Sequence, residues 1–225
     1  MPAAIFKIVS WNKMRYSCPV CSYNGPFRDV VGRWTSKKNT KCPNCGSTER
    51  TRMLWLVIEG ELSDFDGLSK RAIHFAPEKI LSPLLRQRFG VYETSNFGGR
   101  EADHYADLRN LPFEDESYDF VIASHVLEHI KEDELAIKEI RRILKPGGIA
   151  ILPVPLVGDV TIEYDAARPE EAGHVRAPGL DYFDRYRKAF AQVSMRSAEE
   201  FSDAFHLLPE MEGALGIHYI PVCRA

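Results

Sequence analysis

Long apolar runs are missing from this chain. None approaches the roughly 18 consecutive apolar residues that a membrane-spanning helix requires, and the longest candidate, 149–158, is broken by Pro153 and Pro155. The first eleven residues carry neither a sustained apolar core nor a small-residue cleavage site. No secretory signal is therefore expected, and the compartment expected is the cytoplasm. Cysteine is scarce, with five in 225 residues, too few and too clustered for a disulfide framework. Internal repeats and low-complexity tracts are absent. What is present is 44% apolar residues, enough for one α/β domain of ordinary size and a small appended module.

The net charge of −3 hides an asymmetry. Residues 1–55 hold ten Lys or Arg against Asp29 and Glu49, a net of +8, which leaves −11 for the rest. A basic end suits an anionic partner, nucleic acid included, and it equally suits a solvated face.

Four cysteines lie in that basic end as Cys18-Pro19-Val20-Cys21 and Cys42-Pro43-Asn44-Cys45. A two-residue gap lets a tight turn aim both thiolates at one ion, and two such turns complete a closed tetrahedral sulfur site. Gly46 supplies the freedom the second turn needs. Two redox dithiols are the alternative. With all four positions filled by protein, a zinc here is structural rather than catalytic. Val30, Val31 and Trp34, among Gly25, Pro26 and Gly32, read as short strands and a turn. Cys223 reads as a buried strand residue rather than a nucleophile.

Past the second pair, Ser47 or Thr48 can cap a helix with Met53, Leu54, Val57 and Ile58 at helical spacing. From 71 onward strands and helices alternate: strand 72–75, helix 80–89, strands 91–95 and 118–124, helix 132–144, strand 149–153. A helix over 198–205 and a strand over 217–223 close the chain. The segment 157–179, rich in Gly, Pro and charge, reads as a long loop. Alternation predicts an α/β fold, a mostly parallel sheet with helices on both faces. Ligands of such sheets sit outside the carboxyl ends of the strands, here the loops that begin at His74, Ser95, Asp107, Ser124 and Val154.

The run Ala106-Asp107-Leu108-Arg109-Asn110-Leu111-Pro112-Phe113-Glu114-Asp115-Glu116-Ser117-Tyr118-Asp119-Phe120, followed by Leu144-Lys145-Pro146-Gly147-Gly148, resembles the class I S-adenosylmethionine-dependent methyltransferases. The first run is similar to their adenine-side loop and fourth strand, the second to their turn into the fifth strand. The cysteine module ahead of His74-Phe75-Ala76-Pro77-Glu78 resembles a bacterial subgroup of these enzymes, so the likeness covers nearly the whole chain. It implies a Rossmann-like methyltransferase domain with a seven-stranded sheet over 51–225, behind a zinc ribbon over 1–50.

The resemblance implies site residues one by one. Asp107 and the backbone amide of Leu108 would meet adenine; alternatively, Asp107 caps its loop. Where the family has an acidic residue and a Gly-x-Gly-x-Gly loop, this chain has His74-Phe75-Ala76-Pro77-Glu78 and no glycine until Gly90. Ala76 is the next smallest residue, Pro77 fixes a turn, and Glu78 is placed to contact the cofactor's amino group. His74 either touches the cofactor or packs at the strand end. Asn96 stands where the family grips ribose with an acid, and Ser124 ends the fourth strand at the same edge. The expected cofactors are S-adenosyl-L-methionine and one structural zinc.

Methyl transfer needs an oriented acceptor and, where the acceptor carries a proton, a base. The residues able to serve are His125, His129, His174 and Arg176. A His beside an Arg suits an anionic acceptor, whereas packing or solvent exposure would explain them equally. The expected function is methyl transfer to a small molecule, glycan or nucleic acid. The rival is a degenerate methyltransferase-like domain that binds nucleic acid through the ribbon without catalysis.

Overall fold

The computed structural model describes residues 2–31, 36–63, 66–99, 101–208 and 219–225. Trp34 and the expected strand positions 217 and 218 lie outside the described residues. The chain divides into two compact units, Met1–Asp64 with Ser197–Tyr219, and Phe65–Arg196 with Ile220–Ala225. No helix among the described residues is long and apolar enough to cross a membrane.

The first unit runs through helix α1 (Ala3–Val9), a two-residue ladder of β1 (Tyr16–Ser17) with β2 (Asn24–Gly25), the hairpin β3 (Arg28–Val31) with β4 (Ser36–Lys41), and helix α2 (Glu49–Leu62). Met53, Leu54, Val57 and Ile58 are all buried on α2, as their helical spacing demands. Arg52 is buried beside them. Its guanidinium donates to the carbonyls of Thr40, Ser47, Phe205 and His206 at 2.7–3.0 Å and lies over the Phe27 ring. One buried side chain thus spends its donors on four backbone carbonyls, the pairing that a buried guanidinium requires.

The helix expected over 198–205 is corrected to two single 3-10 turns, Ala198–Glu200 and Asp203–Phe205. Ser197 and Ser202 each accept a hydrogen bond from a backbone amide two residues on, and such local bonds compete with a continuous helix.

The second unit is built on a seven-stranded sheet. Its strands are β5 (Arg71–Phe75), β6 (Val91–Asn96), β7 (His104–Tyr105), β8 (Tyr118–Ala123), β9 (Leu144–Ile151), β12 (Gln192–Ser197) and β13 (Tyr219–Arg224), in the order β12-β13-β9-β8-β5-β6-β7. The pairs among β5 to β9 are parallel, and β13 runs antiparallel to β9. Every residue of β8 is buried, the signature of a strand covered on both faces.

The helices here are α3 (Ser82–Leu85), α4 (Asp133–Ile143) and α5 (Phe183–Ala189). On α4, Ala136, Ile137, Ile140 and Ile143 are buried, with acids in the first turn and Arg141 and Arg142 in the last, a distribution that suits the helix dipole. Gly147, at φ +74, takes the turn that Leu144-Lys145-Pro146-Gly147-Gly148 requires. Only Ser82–Leu85 of the expected 80–89 helix is α-helical.

The long loop expected over 157–179 is corrected as well. It contains an antiparallel hairpin, β10 (Ile162–Arg168) with β11 (His174–Ala177), in which Glu163 pairs with Arg176. Tyr164 is the one buried residue of β10. The hairpin is held by charge and by its turn rather than by an apolar stripe, and so leaves no alternating apolar pattern to read.

Candidate active site

The order of the strands creates the site. From β5 the chain steps outward to β6 and β7, then crosses back to β8 on the other side of β5. That reversal opens a crevice at the carboxyl ends of β5 and β8. Phe75 stands in register with Ser95 and with Ala123, so the segments beginning at Ala76, Asn96 and Ser124 leave the sheet side by side. A cavity of about 540 Å³ lies there, walled by Ala76, Ser95, Asn96, Asp107, Leu108 and His125 among others, a volume that fits a cofactor-sized molecule.

Two of these loops turn through strained backbone. Ala76 has φ +49 and His125 φ +54, a left-handed region where glycine is the relaxed choice. The amide of Ala76 is held by the Ser95 carbonyl at 2.8 Å. Such outliers concentrate at functional sites, where surrounding structure over-determines them.

His74 lies behind the cavity rather than on its wall. It is fully buried, with Nδ1 2.8 Å from the Tyr92 hydroxyl and Nε2 2.8 Å from Glu78 Oε2. Burial pushes the Glu78 carboxyl up, but the close approach of His74 and Ser124 outweighs it and holds the group below the ordinary carboxylate range. Glu78 and Pro77 face a second, open cleft of about 990 Å³ that shares Ala76 and Asn96 with the first. Ser124 contacts Glu78 and is buried.

Asp107 makes the loop cap that was the alternative to adenine contact, and it also stands at the cavity. It lines the cavity, and its Oδ1 accepts the Arg109 amide at 2.9 Å, closing a loop cap. The Arg109 side chain adds a fork to the same carboxylate and reaches Glu132 at 2.8 Å; the guanidinium beside Asp107 holds its carboxyl below the usual range. Sequence reading placed Ser95 at the start of a ligand loop but gave its side chain no role; its Oγ is buried at the cavity wall with no hydrogen-bond partner among the described residues. A serine between Thr94 and Asn96 at the end of a polar strand carries no signal by itself.

On the far wall stand His125 and His129. His129 meets the His174 ring edge to face, 4.8 Å between centroids. Glu128 lies 3.3 Å from His125 Nδ1 and is 1% exposed; sequence reading missed it, although the His-x-x-Glu-His spacing was legible. Arg176 does not reach the cavity. It is buried and donates to the carbonyls of Leu127, Ile130 and Lys131 at 2.6–2.9 Å and to Glu163. Expected to face an acceptor, it instead fixes the loop that carries Glu128 and His129. Burial pushes the His174 imidazole below its ordinary value.

The first unit holds a separate cluster of sulfurs. One sulfur from each of Cys18, Cys21, Cys42 and Cys45 lies within 4.8 Å of the rest. Cys18 stands 3.7 Å from Cys45, and Cys21 3.7 Å from Cys42. A tetrahedral ion with zinc–sulfur bonds of about 2.3 Å would set its ligands about 3.8 Å apart, so the donor set fits. Amide-to-carbonyl bonds from Ser22 to Cys18 and from Gly46 to Cys42, both 2.9 Å, close the two turns.

Residues 92–152 match the family described as "Methyltransferase domain". A demethylmenaquinone methyltransferase of Staphylococcus haemolyticus (strain JCSC1435) is 43% identical over 47 residues, 21% of this chain and 20% of that protein. The match thus spans about a fifth of that relative's length. Among solved structures, the CurJ carbon methyltransferase superposes with a TM-score of 0.53 at 16% identity, covering 78% of this chain and 54% of that one. Haemonchus contortus phosphoethanolamine N-methyltransferase 2, in complex with S-adenosyl-L-methionine, gives 0.50 at 16% identity, covering 65% and 38%. Strand order, switch-point cavity and family match agree on the region: residues 92–152 match the methyltransferase-domain family, and the seven-stranded sheet that contains them has the Rossmann-like methyltransferase fold.

Proposed function

We propose that this chain is an S-adenosylmethionine-dependent methyltransferase whose donor sits in the switch-point cavity. The observation that carries this reading is a convergence: Ala76, Asn96 and Asp107–Leu108 arrive from three different strand ends on one cavity. The buried, unpartnered Ser95 Oγ on the same wall fits a polar ligand there, since such an atom is costly to leave unpaired. Asp107 and Leu108 would hold adenine, Asn96 the ribose, and Glu78 the amino end. His74 positions Glu78 from behind.

A donor bound there supplies an activated, electrophilic methyl group. The chain's own task is then to orient an acceptor and receive its proton. His125 and His129, on the wall of the same cavity, are the residues placed for that work, and Arg176 acts on them through the loop it fixes. The four cysteines are assigned to one structural zinc, supported by their sulfur spacing. With every ligand a protein sulfur, that ion organises the module and meets no substrate.

The test is calorimetric titration with S-adenosylhomocysteine, together with incubation of cell extract with methyl-labelled donor. Binding together with a labelled product that depends on the protein supports the reading. Salt-sensitive retention on heparin without binding of S-adenosylhomocysteine would instead mark a nucleic-acid-binding module.

A further inference from the structure

Glu128 is nearly inaccessible, and its Oε2 is buried and accepts no hydrogen bond among the described residues. Its other oxygen faces His125 Nδ1 at 3.3 Å and His174 Nε2 at 4.0 Å. A carboxylate kept out of water without hydrogen bonds is costly unless a cation meets it. One ligand atom from each of Glu128, His129 and His174 lies within 4.8 Å of the other two.

We propose that Glu128, His129 and His174 hold a divalent first-row transition-metal ion at the rim of the donor cavity, and that this ion takes the oxygen of a hydroxyl-bearing acceptor as a further ligand. The second half rests on the methyltransferase reading; the first stands on geometry alone.

Two imidazoles and one carboxylate suit zinc, iron, manganese or cobalt better than magnesium or calcium. Three protein ligands leave positions open for water or substrate, as four cysteines do not. Ligands on an ion with bonds of about 2.0–2.1 Å stand roughly 3–3.5 Å apart, so the three side chains must draw together slightly. His129 is exposed, on a three-residue turn, and has the room to move. Glu128 and His129 ride on that turn, whereas His174 opens β11. Arg176, two residues beyond His174, binds the carbonyls of Leu127, Ile130 and Lys131 around the turn, which fixes one ligand-bearing segment against the other. His129 also lines the donor cavity, so an oxygen on the ion lies on the methyl donor's side. Transfer to such a hydroxyl forms an oxygen–methyl bond and breaks the sulfonium–methyl bond. It yields an ether, a thioether and one proton, which passes to His125 on the same wall, since His129 is then held as a ligand.

The experiment is a zinc titration of the full chain whose cysteine site is already filled, followed by calorimetry and by metal analysis after dialysis. The parent should take a second equivalent. Glu128→Gln, His129→Ala and His174→Ala should each weaken that equivalent at least about tenfold, leaving the first in place. His129 is exposed, so its variant keeps the test sound even if Glu128→Gln misfolds. Absence of a second equivalent, or one that His129→Ala and His174→Ala leave untouched, overturns the site. S-adenosylhomocysteine is titrated into the same samples. A parent that binds the second zinc but not this ligand keeps the metal site and loses the acceptor role. A parent that binds the ligand but no second zinc loses the metal site alone.

Discussion

Arg176 donates through Nη1 to the backbone carbonyl of Leu127 at 2.7 Å, across 49 residues of sequence. With its bonds to Ile130, Lys131 and Glu163, this contact joins the β10–β11 hairpin to the loop that follows β8. Hydrogen bonds to a buried charge are among the stronger ones, and removing one partner strands the others. Asp133, 3.4 Å away and almost fully buried, would lose a counter-ion.

Arg176→Leu is accordingly expected to destabilise the protein by about 2–4 kcal/mol, read from urea denaturation. Arg176→Lys should recover only part of the loss, because an ammonium cannot reproduce the fork. A loss below about 0.5 kcal/mol, the size of an ordinary surface change, would remove Arg176 from its positioning role.

Ala76 offers a test of backbone strain. At φ +49 its Cβ is the unfavourable feature, so Ala76→Gly should leave stability unchanged or raise it by up to about 1 kcal/mol. The same substitution in relaxed backbone would cost that much. Ala76→Val should destabilise strongly. Denaturant midpoints at constant slope decide between these outcomes.

The cysteine module should stand or fall with its metal. Cys42→Ser is expected to release about one zinc per chain and to unfold the first unit, because binding energy at such a site is folding energy. Metal analysis paired with thermal melting reads both effects. A metal-free protein with an unchanged melt would contradict the assignment.

Glu78 carries a pH signature. Its native carboxyl titrates below the ordinary value of 4.5, so the unfolded chain binds the extra proton first as pH falls. The stability it contributes is complete above about 4.5 and is lost as pH drops through the native value. The parent's advantage over Glu78→Gln should therefore shrink below pH 4.5, measured by urea denaturation at several pH values. An advantage that stays constant down to acid-induced unfolding would mean that the His74 contact does not bias the carboxyl.

Much of this architecture was legible because its parts repeat simple patterns. The apolar run of β8, the amphipathic spacing of α4 and the Gly-Gly turn after it each state their structure locally. The Asp107-Leu108 loop was legible as far as its cap, which occurs, and its place at the carboxyl edge, where it lines the cavity. The hairpin over Ile162–Arg168 and His174–Ala177 was not legible, since Glu163 and Arg176 pair by charge across a turn and bury almost nothing on β10. Glu128 was passed over for a related reason: its significance lies in burial beside His174, 46 positions away, which no local window contains. For His74 strand-end packing was one of two readings left open, and the sequence did not show that its ring would sit against Glu78.

On the proposed function, the switch-point cavity binds the methyl donor through the Asp107–Leu108 loop. Calorimetric titration of S-adenosylhomocysteine into the parent and into Asp107→Ala tests it most directly. One site per chain is expected in the parent and a loss of about 1–3 kcal/mol in the variant, the cost of leaving buried polar groups of the ligand unpaired, with the domain still cooperatively folded. Equal binding by both proteins, or none by the parent, would contradict it.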